Sequence, residues 1–220
     1  MVDNFEIGLD KVRVGAVHFN KRATLSFTLD QFNNNADVSS AIDAITSPGG
    51  KTNLADAMRK TRNELLVSPG DRTDAPNICV LYTDGIPDRE TDATDNEVNL
   101  LKMNCTLITV SIGSNTDKSQ LRNISSENRS FETLNFDLLR LIEANLTETI
   151  CEVPEGKKNL CFVSFVSSWL AAIVPGLTGG FLVDSKYHRF IMIYRKFPNS
   201  CKKYQHPVEE DENECQIQYL

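Results

Sequence analysis

Asn77-Ile78-Cys79-Val80-Leu81-Tyr82-Thr83-Asp84-Gly85 is an apolar run that stops abruptly at an aspartate followed by a glycine. An uncharged run without period-two alternation predicts a strand covered on both faces, as in a parallel sheet, over Asn77 to Tyr82. A second buried strand is expected from Cys105 to Ile112, stopped by Gly113. Asp95 to Met103 lies between them and reads as a helix. Strand, helix and strand in that order imply a parallel crossover.

The same alternation extends in both directions. Upstream, Lys11 to Phe19 reads as a strand carrying Val12, Val14 and Val17, and Ala23 to Leu29 as a second one. Asn20-Lys21-Arg22 between them is hairpin-like. Asn33-Asn34-Asn35 reads as a loop. Val38 to Thr46 then presents Val38, Ala41, Ile42 and Ile45 on one helical face, and Ser47-Pro48-Gly49-Gly50 ends that helix. Leu54 to Val67 is expected to be helical up to Ser68-Pro69-Gly70-Asp71. Downstream, Lys118 to Ile124 reads as a short helix and Ser130 to Thr133 as a short strand. Asn135 to Ile150 reads as an amphipathic helix with Leu138, Leu139, Leu141, Ile142 and Leu146. The fold class is therefore α/β, a Rossmann-like, doubly wound, mostly parallel sheet. It runs to about residue 151 and is followed by a linker over 152–159.

Two places in this pattern carry chemistry. Gly49-Gly50-Lys51-Thr52-Asn53-Leu54 precedes a helix, and Val80 to Gly85 ends a buried strand in Asp84. Ligand sites in open α/β sheets collect at the carboxyl ends of strands. A hydroxyl from Thr52 and a carboxylate from Asp84 are hard oxygen donors, suited to Mg²⁺ or Ca²⁺. The plainer alternative is that Thr52 and Asn53 cap their helix and that Asp84 makes a turn with Gly85.

Four segments, taken in order, resemble the von Willebrand factor type A (vWA) domain in the flavour of matrilins and type VI collagen. They are Val12 to Val17, Gly49 to Met58, Leu81 to Gly85 and Ile108 to Gly113. The resemblance covers roughly residues 1–151. It implies a parallel-dominated sheet with an antiparallel edge strand, and a non-enzymatic adhesion module whose partners are extracellular matrix or cell-surface proteins such as collagen. It also implies a metal-ion-dependent adhesion site in which Thr52 and Asp84 ligate Mg²⁺ or Ca²⁺ and a partner's carboxylate completes the shell. The family's first metal loop, Asp-x-Ser-x-Ser, does not occur in this sequence. Met1 to Phe5 aligns with the last turn of the family's first helix, so the chain reads as N-terminally truncated and lacking the first strand. That strand would lie mid-sheet between the strands at Val12 and Val80, and both would need another hydrogen-bonding partner. Metal binding by this chain is accordingly expected to be weak or lost.

The remaining signals concern location. The net charge of −7 argues against nucleic acid as a partner. Asn104, Asn123, Asn128 and Asn145 each open an N-glycosylation sequon, consistent with an extracellular protein. Cys79 and Cys105, inside expected strands, read as small apolar fillers. A cysteine at the position of Cys151 commonly pairs, in this family, with one ahead of the first strand; Cys151 with Cys161 is a candidate substitute. Met1 to Asp10 is no signal peptide. Residues 160–183 carry no charge and suit one membrane span, with a basic polar tail over 184–220; the positive-inside rule then sets the vWA domain outside. The segment reads alternatively as a buried strand pair of a second domain or as misjoined sequence. Phe190 to Tyr194 is a further apolar patch, too short to span. Competing functions are an α/β hydrolase- or phosphatase-type enzyme using Asp84, which lacks a second acid at Ile86, and a non-functional fragment.

Overall fold

The computed structural model describes residues 2–46, 50–72, 75–153 and 190–195, the last by its backbone. Six strands form one sheet: β1 (Arg13–Phe19), β2 (Ala23–Phe27), β3 (Asn77–Thr83), β4 (Thr106–Ile112), β5 (Ser130–Thr133) and β6 (Phe190–Arg195). Their order is β2-β1-β6-β3-β4-β5. β3, β4 and β5 are parallel neighbours, and β2 is antiparallel to β1 at the edge. Ile78 through Tyr82 are buried at every position, as are Thr106 through Ile112. A strand with no exposed alternate residue is covered on both faces, which is why these runs showed no alternation.

The helices are α1 (Asn35–Asp43), α2 (Leu54–Lys60), α3 (Thr91–Lys102), α4 (Lys118–Ile124) and α5 (Leu139–Glu152). Several boundaries differ from the sequence reading for identifiable reasons. α1 starts three residues early because Asn34 caps it, its side chain accepting from the Asp37 amide at 2.9 Å. α3 starts at Thr91, where weak helix formers obscured it; Thr94 is buried and donates its hydroxyl to the Glu90 carbonyl at 3.3 Å. α2 widens into a π turn over Thr61–Leu65, which seats Leu65 against Gly15 of β1. A Cβ at Gly15 would lie 2.7 Å from a Leu65 methyl, so this close approach requires glycine.

The largest departure is β6. The apolar patch at Phe190, counted with the polar tail in the sequence reading, forms the strand between β1 and β3. That is the slot the sequence reading left without a strand. β6 runs antiparallel to both neighbours. Arg13 through His18 pair with Arg195 through Phe190 on one side, and Asn77 through Tyr82 pair with the same six residues on the other. β1 and β3, both opposed to β6, are therefore parallel to each other. They do not close up directly, and their inner amides and carbonyls have a partner.

Candidate functional site

The carboxyl ends of β1, β3, β4 and β5 lie at one end of the sheet, because all four point the same way. Thr52 and Asp84 both belong to loops at this end. Asn53, not Thr52, caps α2: its side chain accepts from the Asp56 amide at 3.0 Å. Thr83 makes a turn with Gly85. Its hydroxyl donates to the Gly85 carbonyl at 3.2 Å and accepts from the Gly85 amide at 3.4 Å. Thr52 is buried and Asp84 partly so.

The two loops are fastened to one another. The Thr52 amide donates to the Asp88 carboxylate at 2.7 Å, and the Asp88 amide returns a bond to the Thr52 carbonyl at 3.0 Å. Lys51 completes the clasp with an ion pair to Asp88 at 2.7 Å. Lys51 first, and the Thr52 amide second, hold the Asp88 carboxyl below its ordinary pKa. One step further along, Glu90 accepts from Asn53 at 2.7 Å and from Arg59 at 2.8 Å, which lowers its pKa in turn. Glu90 adopts a left-handed backbone, φ +46°, at the start of α3. The Asn53 amide also donates to Asn20 in the β1–β2 hairpin at 2.8 Å. The loop bearing Thr52 is thus held from both sides. Sequence reasoning missed Lys51, Asp88 and Glu90 as organisers of this end. The only hint was the presence of acids shortly after Gly85, and partners in loops so far apart in sequence become visible only once the strands are placed.

The donor set is thin for a resident metal. Among the described residues no group of three or more His, Cys, Asp or Glu side chains could hold an ion. Mg²⁺ requires near-octahedral oxygen ligation and Ca²⁺ six to eight oxygens. Thr52 and Asp84 offer one hydroxyl and one carboxylate, and the Asp88 carboxylate is committed to Lys51 and the Thr52 amide.

The other residues singled out from sequence sit apart from this end. Asn104, Asn123, Asn128 and Asn145 are all exposed. Cys79 and Cys105 are buried thiols. Cys151 is disulfide-bonded; its partner, and Cys161, lie outside the described residues. Residues 160–183 also lie outside them. No helix among the described residues is long and apolar enough to cross a membrane.

An open α/β sheet in which β1, β3, β4 and β5 run the same way, with antiparallel strands at the β2 edge and in the β6 slot and a polar loop cluster at the shared carboxyl end, is of the doubly wound class. The chain belongs to the von Willebrand factor type A domain family, whose model matches residues 1–145. It is 26% identical over 168 residues to the mouse collagen alpha-6(VI) chain, covering 76% of this chain and 7% of that one. Among solved structures it is similar to proximal thread matrix protein 1 from the mussel byssus, with a TM-score of 0.62 and 30% identity over 68% of this chain and 38% of that one. A structure of the same mussel protein with a zinc-occupied MIDAS motif is also similar, with a TM-score of 0.56 and 30% identity over 61% of this chain and 34% of that one. A divalent metal site therefore belongs to the family. The chain spans a small fraction of the collagen chain's length and well under half of the mussel protein's.

Proposed function

We propose that this chain is a non-enzymatic, extracellular adhesion module that binds matrix or cell-surface proteins, collagen among them, through the loop cluster at the carboxyl end of its sheet. One observation carries this reading: the loops of Thr52 and Asp84, distant in sequence, are clasped together by Asp88 and Lys51 at that end. The likeness to a collagen VI chain and to a byssal matrix protein supports the class of partner. The exposure of all four sequon asparagines fits glycosylation and an extracellular location.

In this reading Thr52 and Asp84 are the chain's own contribution to a Mg²⁺ or Ca²⁺ site, and they are too few to hold the ion tightly. The support for impairment is the central slot, which holds a strand of the opposite direction to β1 and β3, so that its amino end, not its carboxyl end, faces the loops. Calorimetric titration of the full chain with Mg²⁺ tests this. Little or no heat below millimolar metal is expected, and a micromolar affinity abolished by Asp84→Ala would show a complete site instead. The adhesive reading is tested separately by binding of the full chain to immobilised type VI collagen, with Asp84→Ala as comparison; absence of any binding in both forms would refute it.

A further inference from the structure

We propose that Asn104, Asn123 and Asn128 carry N-linked glycans that together cover the amino end of β4 and β5, the end of the sheet opposite the loop cluster, and close that surface to protein partners. The inference rests on the extracellular location in the proposed function. The fold gathers three of the four sequons in one place; the fourth, Asn145, lies on α5. Asn104 stands just ahead of β4 and Asn128 just ahead of β5, and the two strands are parallel neighbours, so both starts lie toward the same end. Asn123 falls in the last turn of α4, which ends at Ile124. The chain that follows is bonded along the start of β4. The Leu107 amide donates to the Ser126 hydroxyl at 2.9 Å and the Thr109 amide to the Arg129 carbonyl at 3.1 Å. Lys102, at the end of α3, donates to the Ser125 carbonyl at 3.0 Å. The segments bearing the three asparagines are thus stitched to one another, and all three asparagines are exposed.

The transfer joins the asparagine Nδ2 to the anomeric carbon of an oligosaccharide carried on a polyisoprenyl diphosphate. The new C–N bond replaces the sugar–phosphate bond, the lipid diphosphate leaves, and the amide loses one of its two hydrogens as a proton. Asn104 spends one amide hydrogen on the Leu100 carbonyl at 3.2 Å, which leaves the other for the sugar. The sequon hydroxyls of Thr106 and Ser125 are buried, so transfer acts on the chain before it folds, and the fold then sets where the sugars project. Met103, beside Asn104 and 64% exposed, is a large apolar side chain that sugars on this patch would cover. Asn128 has a left-handed backbone, φ +58°, a conformation that aspartate also tolerates, so Asn128→Asp removes the acceptor and keeps the turn.

The full chain is produced in mammalian cells behind a cleavable secretory leader, and each asparagine is read by mass spectrometry as the aspartate left by peptide-N-glycosidase F in heavy-oxygen water. Occupancy at two or all three of Asn104, Asn123 and Asn128 is expected; occupancy at one or none overturns the proposal. Binding to immobilised type VI collagen then reads where the sugars lie. The combined variant Asn104→Gln, Asn123→Gln and Asn128→Asp should bind within about two-fold of the glycosylated chain, because the patch is remote from the contact. A change of about ten-fold or more in either direction overturns the proposal by placing the sugars at the contact. Arg89→Asn is the opposite case, since it completes a sequon with Glu90 and Thr91 inside the loop cluster. An occupied site there should weaken binding by about ten-fold or more, and enzymatic removal of the sugar should restore it. No effect from an occupied site at residue 89, or no collagen binding by any form, would refute the proposed function and leave the occupancy result standing.

Discussion

β3 has two neighbours of opposite origin. On one side lies β4, parallel to it and reached by a single crossover through α3. On the other lies β6, antiparallel and drawn from far along the chain. The two sides satisfy the alternating backbone groups of the two edges of β3 over nearly the same residues, Ile78 to Thr83 against β4 and Asn77 to Tyr82 against β6. The difference teaches that a buried strand edge specifies a partner's shape and polarity but neither its direction nor its place in the sequence. The β4 side is secured by local connection and by the packing of α3, including Arg59 and Arg62 of α2 and its π turn bonding to Glu97 at 3.0 and 2.8 Å. The β6 side rests on pairing with β1 and β3.

Proline should separate the two sides most sharply. Met192→Pro removes a ladder amide from a strand paired on both edges and should destabilise the chain by about 3 kcal/mol or more, read from urea denaturation. Were the slot not occupied by this segment, the substitution would change stability little. On the other side, Glu97→Ala leaves two guanidinium groups without their shared carboxylate between α2 and α3. The arginines are partly exposed, so a loss of about 1–2 kcal/mol is expected, well short of an unpaired buried charge.

His18 lies at the β1 end of the β6 interface, paired with Phe190 and with its Nδ1 at 2.9 Å from the Ser26 hydroxyl. Burial lowers its pKa from the ordinary 6.5. The unfolded chain then binds the proton more readily than the folded one. Stability is complete above about pH 6.5 and declines as pH falls toward the folded pKa. His18→Gln should flatten that slope in denaturant midpoints measured from pH 7.5 to pH 5, and an unchanged slope would assign it elsewhere. Asp88→Ala acts locally on the loop clasp: amide exchange at Thr52 should quicken while that of β3 and β4 stays as it was.

Much of this was legible in the sequence. The strands at Val12, Val80 and Ile108, and the helices at Leu54 and Lys118, announced themselves through periodicity or uninterrupted apolar runs. Thr52 and Asp84 could be placed at strand ends because the α/β alternation fixes which end carries loops. Two things could not be read. The clasp of Lys51 and Asp88 depends on loops that only the finished sheet brings together. The strand at Phe190 is a short apolar run beside basic residues, which periodicity does not assign, and the edges that define its place belong to residues far away in the chain. The sequence reading identified the gap and the patch separately; the structure shows that one fills the other.

Hydrogen–deuterium exchange of the full chain tests this most directly. The amides of Phe190–Arg195 should be protected to the same degree as those of Asn77–Thr83, since each strand is paired on both edges. Exchange of residues 190–195 within seconds, at the rate of a free peptide, while β3 and β4 remain protected, would contradict the central position of β6.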